Sequence, residues 1–161
     1  MTDQTRREFC ERVCHVASVA ALGGPMAALL HGCGGGNSVT GGSLPGNVPA
    51  LPTLSATAVS GGVSITVDSG SPLAPVGAAA LVQSGSGVFL VAHTGPDTFT
   101  TVTATCTHET CTIIGFTGQA YVCPCHGSRF STSGAVQNGP ATRALRSFPT
   151  RLASNVLTIS V

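Results

Sequence analysis

From Leu51 onward, apolar and polar residues alternate in short runs cut by turn formers, the period of half-buried strands rather than of helices. Thr53 to Val59 alternates, Gly61-Gly62 turns the chain, and Val63 to Val67 alternates again. Ser69 to Pro75 is turn-rich. Gly77 to Gln83 and Val88 to His93 predict two further strands around the loop Ser84-Gly85-Ser86-Gly87, with His93 at a solvated strand end. Gly95-Pro96-Asp97 predicts a tight turn, and Thr98 to Thr105 another strand. Thr112 to Phe116 and Gln119 to Val122 predict a hairpin about Thr117-Gly118, with Tyr121 packed in the core or sheet. Phe130 to Gly134 reads as a turn, and Leu145 to Phe148 and Val156 to Val161 close the sheet. The pattern is that of a small all-β domain without internal repeats.

Upstream the period is lost. Residues 34–50 are Gly, Ser, Asn and Pro with scattered apolar residues, the composition of a flexible tether. Before them lies a mostly apolar run from Val13 to Leu30, about the shortest length that spans a bilayer, interrupted by Gly23-Gly24-Pro25. Thr5-Arg6-Arg7-Glu8-Phe9 ahead of that run resembles a twin-arginine export signal. Arginines on that flank also place the N-terminus in the cytoplasm by the positive-inside rule. Leu30-His31-Gly32-Cys33 resembles a lipoprotein cleavage box that would put lipid on Cys33, while retention of the run as an anchor is the alternative. The expected division is a signal or anchor segment at 1–33, a tether at 34–50 and a folded domain at 51–161. Either ending tethers the domain on the periplasmic side of a bacterial inner membrane.

Charge narrows the partners. Seven basic residues, all arginine, face six acidic ones in 161 residues, and no basic cluster occurs outside the first twelve. Nucleic acid is therefore not an expected partner.

The chemistry is concentrated between Cys106 and Ser128. That stretch reads Cys106-Thr107-His108-Glu109-Thr110-Cys111, eleven residues, then Cys123-Pro124-Cys125-His126-Gly127-Ser128. Cys-x-His lets one extended loop bring two donors to a common site, and Cys-x-x-His does so from a tight loop bent at Pro124 and Gly127. Mixed thiolate and imidazole donors suit a tetrahedral zinc or an iron–sulfur cluster. Zinc leaves the additional cysteines, Cys111 and Cys125, unexplained.

The two half-motifs closely resemble the ligand loops of Rieske iron–sulfur proteins, in which two histidines replace two cysteines. The resemblance covers roughly residues 50–161 and implies a small antiparallel β-sandwich with the ligand loops at one end. It implies one [2Fe-2S] cluster, with Cys106 and Cys123 on the inner iron and His108 and His126 on the outer, solvent-facing iron. Cys111 and Cys125 would form the disulfide of the cytochrome bc-type branch, in keeping with an oxidising compartment. Ser128 matches the serine that donates to a bridging sulfide, and Gly139-Pro140-Ala141 matches the proline loop covering the cluster. Two positions depart from the high-potential members: Phe130 stands where they carry a tyrosine that donates to a cysteine ligand, and Glu109-Thr110 where they carry an apolar residue and glycine. Both departures lower the expected potential within the family range of about −150 to +300 mV.

The function so implied is one-electron transfer as the iron–sulfur subunit of a membrane-associated quinol-oxidising or related respiratory complex. Its partners would be a cytochrome b-like or other quinol-oxidising subunit and a c-type cytochrome or similar acceptor. A stand-alone periplasmic carrier for another oxidoreductase is the alternative. A Rieske oxygenase would need a further catalytic domain with a mononuclear iron site, for which the chain has neither room nor histidines. No catalytic set independent of the metal site is visible, so the chain is at most a component of an enzyme.

Overall fold

A computed structural model describes residues 44–161. The expectations for the leader, including Arg6-Arg7 and Cys33, and for most of the tether lie outside the described residues. Thirteen short strands make up the described fold: β1 Thr53–Ser55, β2 Thr57–Val59, β3 Gly62–Thr66, β4 Ala79–Ser84, β5 Gly87–Gly95, β6 Thr98–Thr103, β7 Gly115–Phe116, β8 Ala120–Val122, β9 Arg129–Ser131, β10 Val136–Asn138, β11 Ser147–Phe148, β12 Thr150–Ala153 and β13 Val156–Ser160. No helix occurs among the described residues, and so none is long and apolar enough to cross a membrane.

The strands form three sheets, ordered β1-β4-β5-β6-β11, β12-β13-β3-β2 and β10-β9-β8-β7. β4 and β5 are nearly continuous apolar runs because their sheet is buried on both faces. Ala80, Val82, Phe89 and Val91 join Val63, Ile65, Leu157 and Ile159 in one core. Ala79, Leu81, Leu90 and Ala92 join Ile113, Tyr121, Phe130 and the two thiols Cys106 and Cys123 in the other. Successive residues of a strand point to opposite faces, so one run feeds both cores. The result is a β-sandwich with the third sheet carrying the ligand loops.

All pairings among these strands are antiparallel save β1 with β4, which is parallel. The run Thr53 to Val59 is not one strand. It breaks at Ala56, whose amide donates to Gln83 O at 2.8 Å, so that β1 belongs to the sheet of β4 and β2 to that of β3. The segment expected to turn at Phe130 to Gly134 begins with β9, and only Thr132 to Gly134 turns before β10. β12 was not legible either. It forms a hairpin with β13 across Ser154-Asn155, which adopt φ of 49° and 60°.

His93 is not solvated. It is 9% exposed, its Nδ1–H donates to Leu73 O at 2.9 Å, and its ring stacks on Phe99 at 4.2 Å. The turn-rich segment before β4 folds over the strand end and supplies that carbonyl.

Candidate metal centre

Both ligand loops grow from hydrogen-bonded stems. The first leaves β6 and is closed by the bridge Thr105–Thr112, by Cys106 N–H to Cys111 O at 2.9 Å and by Cys111 N–H to Glu109 O at 2.8 Å. The second joins β8 to β9, with Cys123 N–H donating to Ser128 O at 2.9 Å and Gly127 N–H to Cys123 O at 3.0 Å. Gly127 has φ of +72°, a conformation that side-chain-bearing residues rarely adopt. The β7–β8 hairpin between the loops sets them side by side, as the turn at Thr117-Gly118 predicts.

The six motif residues sort by depth. Cys106 and Cys123 are 4% and 1% exposed, reduced, and adjacent enough for their thiols to interact. His108 and His126 are exposed above them, with ring centroids 4.9 Å apart and planes at 87°. One ligand atom from each of His108, Glu109 and His126 lies within 4.8 Å of the others, and Glu109 Oε2 is 3.7 Å from His126 Nδ1. Cys111 and Cys125 form a disulfide that joins the two loops.

The donors are prepared for a cation. Burial, then the neighbouring Cys106, push the Cys123 thiol up, while the backbone amides of Cys125 and His126 oppose the rise by donating to its sulfur. A thiolate there needs positive charge beside it, which iron supplies. Ser128 is fully buried and accepts the Ala141 amide at 3.0 Å, which leaves its own proton without an acceptor among the described residues. That orphaned buried donor, on the loop that carries Cys123, fits an inorganic sulfide, an acceptor that a lone zinc lacks. Two donor pairs at different depths likewise fit two irons.

A third loop completes the site. The peptide Gly139–Pro140 is cis, Ala141 N–H reaches Ser128 in the second loop, and Arg143 O accepts the Thr107 hydroxyl of the first at 2.6 Å. The proline-bearing loop is thus fastened to both ligand loops. Thr107 carries no sequence signal for this role, since its partner lies 36 residues away.

Tyr121 is a further feature of the site's floor. It is fully buried against Phe116, its hydroxyl has no partner among the described residues, and burial holds its phenol well above the usual tyrosine range. Phe130, its cross-strand neighbour, is also fully buried.

Comparison with known proteins agrees with this geometry. Residues 71–149 match the Rieske [2Fe-2S] domain. The chain is 40% identical over 76 residues to the cytochrome b6-f complex iron-sulfur subunit of Prochlorococcus marinus (strain NATL1A), covering 44% of this chain and 42% of the relative. It is 32% identical over 108 residues to the cytochrome b6-f complex iron-sulfur subunit 2 of Trichormus variabilis, covering 60% of each. The chain thus spans about half the length of these relatives. The crystal structure of the plasma membrane Rieske protein PetC3 from Synechocystis PCC 6803 superposes with a TM-score of 0.51 at 28% identity, over 60% of this chain and 99% of that one. With the paired cysteines and histidines already brought together, the matched region is a Rieske [2Fe-2S] domain, built for one cluster and homologous to cytochrome b6-f iron-sulfur subunits.

Proposed function

We propose that the domain transfers single electrons as the iron–sulfur subunit of a membrane-associated, quinol-oxidising complex of the cytochrome bc type. One observation carries the reading: two exposed imidazoles stand over two buried thiols on disulfide-joined loops. Cys106 and Cys123 would hold the inner iron and His108 and His126 the outer one. The cluster, when bound, supplies reversible one-electron chemistry.

The protein residues do the rest. Buried Cys106 and Cys123 exclude water from the inner side, while the exposed histidine rings give a partner its closest approach. A histidine bound through one ring nitrogen can lose the proton on the other, and His108 or His126, once it has done so, would be the acceptor of a quinol proton at the surface. Ser128, whose hydroxyl proton has no acceptor among the described residues, would donate it to a sulfide of the cluster and so favour added negative charge. The relatives assigned to cytochrome b6-f complexes support the bc-type setting, and the leader supports export and tethering on the periplasmic side.

A second reading, a stand-alone exported carrier, rests on Glu109, whose carboxylate occupies the face beside His126 that a quinol would approach. A redox titration of the full-length holoprotein at several pH values, with its EPR signal, separates the two. A high potential falling with pH supports quinol oxidation, and a low potential flat across neutral pH supports the independent carrier. Absence of a paramagnetic signal from the reduced, iron-replete protein overturns both.

A further inference from the structure

The site described so far leaves two cations without a task. Arg143 and Arg146 are exposed on the segment that follows the proline-bearing loop, and both line a pocket of about 430 Å³ beside the first ligand loop. The same pocket is lined by Thr105, Thr107, His108 and Glu109. Among the described residues the single ion pair is His126–Glu109, so neither guanidinium has a carboxylate within 4.0 Å.

The backbone beneath them is fixed. Arg143 O accepts the Thr107 hydroxyl at 2.6 Å, and Arg146 O accepts the Thr103 amide at 2.8 Å. The Arg146 guanidinium lies 4.7 Å from the centre of the Phe148 ring, which holds its charged end in place. The Arg146 guanidinium is thus pre-positioned, that of Arg143 rises from a fixed backbone, and the planar fork of each matches a carboxylate.

The remaining charges do not cancel the pair. The described residues contain four arginines and three acids: Asp68, Asp97 and Glu109. Of the acids only Glu109 is on this pocket, and its carboxylate is turned to His126. Arg151 lines a different groove along β12 and β13.

We propose that the Arg143–Arg146 rim is a docking surface for an acidic protein partner, whose carboxylates seat between the two guanidiniums and bring its redox centre up to His108. The inference rests on the electron-transfer reading and adds to it the charge of the partner. Like charges facing this rim repel, so the surface selects partners as well as attracting them.

The test is equilibrium binding at low ionic strength between the full-length oxidised holoprotein and one c-type cytochrome in two forms, native and basic or lysine-succinylated and acidic. The acidic form is expected to bind more tightly, and added salt to weaken it. Arg143→Gln combined with Arg146→Gln is expected to lower that affinity about tenfold, while Arg151→Gln leaves it unchanged. Arg143→Gln alone, which disturbs no ring contact, gives a smaller loss, and Glu109→Gln a gain. Equal binding of the two forms, preference for the basic form, or an Arg151→Gln loss as large as that of the double variant would overturn the proposal. Electron flow is read separately, by mixing chemically reduced holoprotein with the ferric cytochrome and following its haem absorbance, so a complex that forms but passes no electron counts against the carrier reading and not against the surface.

Discussion

The Ser128 hydroxyl accepts the Ala141 amide at 3.0 Å in a fully buried position, so one oxygen joins the second ligand loop to the proline-bearing loop. Its single proton is then directed elsewhere. Ser128→Ala removes both services. The stranded Ala141 amide is expected to cost about 1–3 kcal/mol in chemical denaturation, and the potential to fall because a donor to the cluster is lost. An unchanged potential would show that the proton points away from the sulfur.

Phe130 offers the opposite experiment. It is fully buried on β9, where high-potential relatives are expected to carry a donating hydroxyl. Phe130→Tyr should raise the potential, and a hydrogen bond of about 1 kcal/mol corresponds to about 40 mV for one electron. A titration without a rise would discard the donor argument for this chain.

Glu109 acts through charge at a solvated position. Its carboxylate, 3.7 Å from His126 Nδ1, disfavours an added electron nearby. Glu109→Gln should therefore raise the potential at low salt, with the difference shrinking as ionic strength increases. A difference that persists undiminished in high salt would point to a change in loop structure instead.

The disulfide closes a loop of sequence separation 14. In the chain-entropy account such a closure contributes about 3 kcal/mol, and here it also joins the loops that carry the histidines. Cys111→Ser with Cys125→Ser should unfold at lower denaturant and lose visible cluster absorbance faster than the parent. Equal cluster lifetimes would mean that the hydrogen-bonded stems alone hold the loops together.

Tyr121 predicts an alkaline effect with a definite sign. Its folded pKa is raised above the unfolded value of 10.0 by burial. The unfolded state therefore loses this proton first, and the stability tied to the neutral phenol is complete below pH 10 and declines as pH rises above it. Tyr121→Phe should flatten that decline without destabilising the neutral protein, since the deleted hydroxyl has no partner. Parallel alkaline unfolding curves for the two proteins would refute the assignment.

The legibility of this fold follows the range of the forces involved. The ligand loops, the hairpin between them, and β3 to β6 stand out because their signals are local: donor spacing, alternating polarity and turn residues. The break at Ala56 is invisible locally, since the alternation continues across it and only pairing to two different sheets divides it. β9 and β12 are three and four residues long, too short for a period to register. His93 looks solvated because the carbonyl that buries it comes from Leu73, twenty residues away. The Arg143–Arg146 rim was equally hidden, because isolated arginines carry no spacing signal.

The entry of the chain into the domain has a mechanical meaning. Phe116 N–H donates to Pro49 O at 3.1 Å, Leu51 N–H to Ile114 O at 2.7 Å, and Ala50 bridges to Gly115, where a side chain would collide with Leu44 and Val48. The incoming segment is thus riveted to β7, the strand that leads out of the first ligand loop, before it reaches any other sheet. A force on the preceding chain would therefore be borne first by those hydrogen bonds, on the strand that follows the first ligand loop. If a tether moves the domain between partners, the pull enters beside the loops that meet them.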